Sequence, residues 1–375
     1  MRLHRTFRVV LPCATALAAA AACASGMSGG SGVWVPGSVS GRVVDVAGSP
    51  IANAAVRASG GAATVTDGNG EFRLPGLPAG QRARVNVSAA NFAETTKVFP
   101  VVAGRDTRQD AIVLISQGAP VRFDARAGTT LSLAMGGQVR IPANALVRAN
   151  GQPAAGMAVA QVATIDPRDF GQLAGGPGEL SVGSGAQQRP LVSGGMLRVQ
   201  LTDEGTGERL DLAPGQRAEI QLPADMVTRD SWPILGERDQ GRNIESDTVP
   251  VTAIYLFDLN VGEWRWIDTL TATPGSNFVT GFTPTLGPWI NLDKPAVRTC
   301  VQVQVLQTGG APRPNVLVAA FGVDYNGYTQ GYTDDAGRAT LLARRNSLVL
   351  VTSGGKQQTV VTPGVETPCV DAGTL

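Results

Sequence analysis

Histidine is almost missing from this chain. The single one, His4, falls in a stretch that reads as a cleavable leader, so the mature protein would carry none. That excludes Ser-His-Asp and Cys-His catalysis, and zinc sites built on imidazole. Charge is sparse at 16 % and aromatics at 5 %, while 31 Lys and Arg face 30 Asp and Glu. So even a balance gives no footing for nucleic acid or an anionic membrane surface. No glycine-rich loop leads from a strand into a helix, so nucleotide binding has no support. Nothing implies a cofactor or a metal. Asp67-Gly68-Asn69-Gly70-Glu71 opens like a calcium loop, but its twelfth position is Pro78, which has no carboxylate. Asp67 is expected to bond its own turn instead.

Glycine and proline are what the chain has in quantity, 47 and 24 residues. They punctuate short apolar runs at strand length: 42–46, 54–58, 71–74, 83–87, 96–101 and 111–115. Between the runs stand Gly48-Ser49-Pro50, Asp67-Gly68-Asn69-Gly70, Pro75-Gly76 and Pro78-Ala79-Gly80. Glycine supplies positive φ at such turns and proline pre-sets its own φ. No window sustains a 3.6-residue period, so the fold class expected is all-β, made of β-sandwich modules.

The amino terminus reads as an export signal. Arg2, Arg5 and Arg8 precede an Ala-rich apolar stretch, residues 9–22, that is short for a membrane span. Ala20-Ala21-Ala22-Cys23 resembles a bacterial lipobox, with Ala where Leu is usual, and Cys23 would become the lipidated first residue. The alternative is ordinary cleavage after Ala22-Cys23-Ala24. Ser25 to Gly32 would serve as a flexible tether. Ala24 lacks the Asp retention signal, which by resemblance favours the outer membrane. Cys300 and Cys369 then remain, and in an oxidising compartment a disulfide between them is expected, with two buried thiols as the alternative.

The first module is carried by Gly41-Arg42-Val43-Val44-Asp45, Gly48-x-Pro50, Ala54 and Val56, then Thr66-Asp67-x-x-Gly70-x-Phe72 and Leu77-Pro78-x-Gly80. These residues resemble the carboxypeptidase regulatory-like (transthyretin-like, carbohydrate-binding-like) domain. The resemblance implies a seven-stranded Greek-key sandwich and says little about function, since such modules act as spacers, docking domains or glycan binders. At a shift of 262, Val39, Val43, Gly48, Pro50, Asn53 and Val56 fall on Val301, Val305, Gly310, Pro312, Asn315 and Val318. At 267, Thr66-Asp67 and Gly70 fall on Thr333-Asp334 and Gly337. A second, diverged copy is therefore expected, with five extra residues in the hairpin holding Asp324 to Tyr328. A fragment of the same pattern, Gly151-x-Pro153, lies in the middle region. There, Val139-Arg140-Ile141-Pro142, Ile220-Gln221-Leu222-Pro223 and Ile254-Tyr255-Leu256-Phe257 resemble the extracellular β-region of cartilage intermediate layer protein, with a ZU5-like opening. That resemblance brings protein or matrix binding and no catalytic residues.

The organisation expected is thus signal 1–23, tether 24–36, regulatory-like sandwich 37–116, β-rich middle 117–294 and second sandwich 295–375. Residues 171–190, polar and Gly-rich, are expected to form a long exposed loop. Ser353-Gly354-Gly355-Lys356 matches an SxxK nucleophile pattern but reads better as a hairpin turn. Candidate ligand-binding residues are aromatic. Trp264 and Trp266 share a strand face and are either core or, if exposed, a flat glycan platform. Tyr325, Tyr328 and Tyr332 cluster in the longer hairpin and are either a contact surface or plain hairpin residues. The function expected is a non-catalytic envelope lipoprotein with a structural or docking role. The alternative is a carbohydrate-binding module protein, with a protein or glycan of the envelope as partner.

Overall fold

A computed structural model describes residues 35–224, 252–272 and 276–375; Cys23, the leader and most of the tether lie outside them. Seven strands come first: β1 (Gly37–Val44), β2 (Ala55–Ala58), β3 (Ala63–Val65), β4 (Glu71–Leu77), β5 (Arg82–Ser88), β6 (Thr95–Pro100) and β7 (Asp106–Val113). They form two sheets, β4-β1-β7 and β3-β2-β5-β6, with β1 and β7 parallel. Alternation along β5, buried at Ala83, Val85 and Val87, places those side chains with Val39, Val56, Leu74 and Phe99 in one core.

The middle region adds β8 (Val121–Asp124), β9 (Thr129–Ser132), β10 (Gln138–Ile141), β11 (Leu146–Arg148), β12 (Met157–Ile165), α1 (Phe170–Gly175), β13 (Ser181–Val182), β14 (Arg189–Asp203), β15 (Arg209–Leu212), β16 (Ala218–Pro223), β17 (Thr252–Asp258), β18 (Glu263–Ala272), β19 (Phe278–Thr283) and β20 (Ile290–Pro295). They make a single sheet with the path β11-β15-β14-β20-β17-β18-β19-β16-β10-β9. Strands far apart on that path share one core through Val139, Leu197, Ile220, Ile254 and Ile290, so the sheet folds over on itself.

The last seven strands are β21 (Arg298–Gln304), β22 (Leu317–Gly322), β23 (Tyr328–Tyr332), β24 (Arg338–Arg344), β25 (Leu348–Ser353), β26 (Lys356–Val361) and β27 (Val370–Thr374). Their sheets, β24-β21-β27 and β23-β22-β25-β26, repeat the order of the first module, including the parallel pair.

Turn chemistry explains why the copies agree. Gly48, Gly151 and Gly310 all have φ near +80° (83°, 79° and 86°), and the proline two residues on bridges back to the preceding strand each time, Val44↔Pro50, Val147↔Pro153 and Leu306↔Pro312. Thr66 Oγ1 donates to Ile51 O and accepts from Ala54 N; Thr333 Oγ1 donates to Arg313 O and accepts from Val316 N. Asp67 Oδ1 accepts from Asn69 N and Glu71 N, and Asp334 Oδ1 from Ala336 N and Arg338 N. The calcium-like Asp67 is thus engaged with its own turn. Gly354 and Gly355, at φ 56° and 82°, close the hairpin between Ser353 and Lys356, so the SxxK match is a β-turn. Ser353 Oγ donates to Leu317 O. Cys300 and Cys369 form a disulfide across a separation of 69 residues.

Candidate functional site

Within the Gly-rich stretch 171–190 only residues 183–187 are exposed; the rest is packed and is not an exposed loop. Asp169 caps α1, its Oδ1 accepting from Gly171 N and Gln172 N, and Leu173 and Leu180 are fully buried. The glycines are there for close approach: a Cβ at Gly175 would lie 2.5 Å from Ile115 Cδ1, and one at Gly178 2.8 Å from the Phe257 ring. Small residues let this segment wedge between the two end sandwiches, which composition alone reads as a loop.

Around the wedge the three regions share a hydrophobic cluster. Val44, Val113 and Ile115 come from the first, Leu173, Tyr255, Phe257, Trp264 and Trp289 from the middle, and Phe321 and Tyr328 from the last. Hydrogen bonds cross the same junction. Gly178 N donates to Thr96 O at 2.9 Å, Leu180 N to Tyr328 O at 2.8 Å, and Trp289 Nε1 to Glu94 O at 2.7 Å. Lys97, wholly buried on β6, donates through Nζ to Ala174 O at 2.8 Å and to Gly176 O, which satisfies carbonyls at the end of α1. Burial pulls its ammonium down from 10.5 to about 7.

The aromatic candidates belong to this junction. Trp264 is 2 % exposed, its Nε1 donating to Glu179 O at 3.0 Å and its ring set edge-on to Phe257, whereas Trp266 is 53 % exposed. The wedge covers one and leaves the other, so the pair offers no flat platform. Tyr325 and Tyr328 are buried too, and burial raises both phenols, Tyr325 to about 12. The lengthened hairpin turns inward because β14 has an irregular register between Ser193 and Met196, where Asn326 O accepts from Ser193 N and Asn326 Nδ2 donates to Ser193 O. An exposed tyrosine contact surface is therefore corrected to an internal joint. Tyr332 packs its ring against Phe99 of the first sandwich, with centroids 5.8 Å apart.

Beside Tyr332 the three regions leave a cleft of about 270 Å³, which the sequence did not signal because its walls come from segments far apart in the chain. Glu179 lies within it, accepting from Ser181 Oγ at 3.0 Å, Gln188 Nε2 at 2.9 Å and Gln330 N at 3.3 Å. Burial raises its carboxyl above the ordinary value, against the lowering by those donors and by Arg82. Elsewhere Asp293 on β20, also raised by burial, pairs across the ladder with Ser193 of β14, with Asn291 Nδ2 donating to one oxygen. Among the described residues no group of three or more His, Cys, Asp or Glu could hold a metal ion.

The chain is 27 % identical to human cartilage intermediate layer protein 2 over 233 residues, covering 57 % of this chain and 20 % of that protein. The mouse protein gives 27 % over 201 residues, 51 % of this chain and 17 % of that one. The chain thus spans about a fifth of the length of these curated relatives. Among solved structures, the Bacillus anthracis TIE protein is similar at 10 % identity, over 91 % of this chain and 50 % of that one, with a TM-score of 0.20. The major pilin subunit BcpA of Bacillus cereus gives 9 % identity over 90 % and 99 %, also at 0.20. Likeness at that level carries no argument about topology or function. Residues 38–114, the first sandwich, match the carboxypeptidase regulatory-like domain family.

Proposed function

We propose that this chain is a non-catalytic protein of the cell envelope, anchored through a lipid on Cys23, whose body acts as a rigid structural or docking element. The family matched by the first sandwich is a non-catalytic domain. One observation carries the reading: the aromatic side chains best placed to meet a ligand, Trp264, Trp289, Tyr328 and Phe321, are spent on a core shared by three regions. Such a core makes domain motion costly, which suits a spacer or scaffold. The alternative reading, a carbohydrate-binding module built on Trp264 and Trp266 or on the tyrosine hairpin, loses those surfaces with Trp264, Tyr325 and Tyr328 buried. Fractionation tests the anchor. Wild type should pellet with membranes and Cys23→Ser should be released; a wild type that is already soluble and begins at Ser25 overturns it. Photocrosslinkers placed at exposed positions such as Trp266 in intact envelopes should capture a discrete protein, and crosslinking to none overturns docking.

A further inference from the structure

The cleft beside Tyr332 has features a mere joint does not need. Tyr332 Oη is buried with no hydrogen-bond partner among the described residues, a state that costs about 1–3 kcal/mol unless something supplies one. Around it the side chains keep unused capacity. Among the described residues the Glu263 carboxylate makes no hydrogen bond or ion pair, and the Arg82 guanidinium acts on Glu179 and Tyr332 through its charge while its N–H groups donate to neither. Gln188 uses its amide nitrogen on Glu179 and Ser181, leaving Oε1, and Gln330 uses Oε1 on Tyr328 Oη, leaving its nitrogen. Val98 and Pro100 add an apolar wall.

This inventory selects a chemistry. Among the described residues the lining holds one cation, Arg82, and two carboxylates, of which Glu179 already accepts from three donors; an anionic ligand would meet both carboxylates and a cationic one would meet Arg82, so neither matches the whole cleft. Donors (Arg82, Gln330, Tyr332) and acceptors (Glu263, Gln188) are interleaved, and a hydroxyl group serves both because it donates and accepts. The volume is near the lower limit of ligand pockets, roughly 300 Å³, room for one small ring and part of a second. We propose that the cleft between the three regions binds a neutral sugar ring, with Tyr332 Oη, Gln330, Gln188, Arg82 and Glu263 taking its hydroxyls and Val98 and Pro100 its C–H face. The proposal stands apart from the anchoring reading, since a protein with no sugar affinity could still be a scaffold.

The test uses the untethered protein from residue 24 on an array of neutral, acidic and amino oligosaccharides, followed by titration calorimetry with the best neutral one. Tyr332→Phe keeps the ring on Phe99 and removes only the hydroxyl. It should weaken binding about tenfold, one hydrogen bond's worth, without lowering the melting temperature of the unliganded protein. Arg82→Ala, at an exposed position, should weaken it similarly, and Trp266→Ala should leave it unchanged. Binding of acidic or amino sugars only, binding indifferent to both Tyr332→Phe and Arg82→Ala, or no saccharide bound at all would each overturn the assignment.

Discussion

At the start of its first strand the amino-terminal sandwich has Ser38; at the same point, 262 residues on, the carboxy-terminal sandwich has Cys300. The ladders place their partners equally. Val39 pairs with Thr107 and Val301 with Val370, so Asp106 and Cys369 occupy one position in the two copies. One copy joins its parallel strands there by hydrogen bonds from Ser38 Oγ and Ser40 Oγ to Asp106, the other by the Cys300–Cys369 disulfide. The outer strands differ in the opposite sense. β6 is buried along most of its length beneath the wedge, whereas β26 is almost wholly exposed. The copy that is clasped by the rest of the molecule does without a covalent link, and the copy with a bare edge has one. A shared fold can thus be held by packing or by crosslinking, according to what covers it.

The largest test of that contrast removes the disulfide. Cys300→Ser with Cys369→Ser should destabilise the carboxy-terminal copy by about 4 kcal/mol, the chain-entropy value for a loop of this size. Urea unfolding followed by limited proteolysis would show the loss starting in β26 and β27 rather than in β6. A loss shared equally by both copies would mean that the central cluster, not the crosslink, sets local stability. The reciprocal change installs the link where it is missing. Ser38→Cys with Asp106→Cys should oxidise spontaneously and stabilise the first copy, by about 2 kcal/mol, since engineered bridges fall short of the entropic value and the Asp106 hydrogen bonds are lost. Failure to oxidise would show that the matching ladder positions differ in geometry.

How much of this was legible in the sequence follows from the range of the interactions. The turns were readable because their chemistry is local: Gly48-x-Pro50, Asn53 and Thr66-Asp67 act on backbone within about twenty residues, and their counterparts at 310–334 do the same. The disulfide needed only the compartment argument and two remaining cysteines. For residues 171–182 the expectation of an exposed loop fails because glycine has the same signature whether it frees a loop or admits a neighbour, and the neighbours, Ile115 and Phe257, are remote. Trp264 and Trp266 share a face by strand period, but what lies over that face is the wedge, which no period encodes. The cleft is further out of reach: Arg82, Glu179, Glu263 and Tyr332 meet only through the packing of three regions.

The buried lysine gives a smaller test that reads pH. Lys97 titrates at about 7 in the folded protein against 10.5 when unfolded. Between those values the unfolded chain binds one more proton, so this group makes stability rise with pH from about 7 to 10.5, and its cost is fully present below 7. Lys97→Met should remove up to one proton from that slope while leaving Ala174 O and Gly176 O without their donor. Melting temperatures of wild type and variant from pH 6 to 10 measure the difference, and parallel curves would show that the ammonium is not desolvated.

The matching position in the other copy should scarcely respond. Arg57 pairs with Asn86 and Asn86 with Thr96; Ala319, its equivalent, pairs with Thr352 and Thr352 with Gln357. One residue further on, Lys97 corresponds to Gln358, which is exposed on β26. A lysine there would keep its ammonium in water and meet no helix end, so Gln358→Lys should change stability by less than about 0.5 kcal/mol at any pH from 6 to 10. The same residue type at the same ladder position would then have a pH-linked cost in one copy and none in the other. That difference would come from the wedge over β6, because strand, register and sheet order are held constant. A shift as large as that of Lys97→Met would mean that β26 is covered in solution, and the partner covering it would be the next thing to identify.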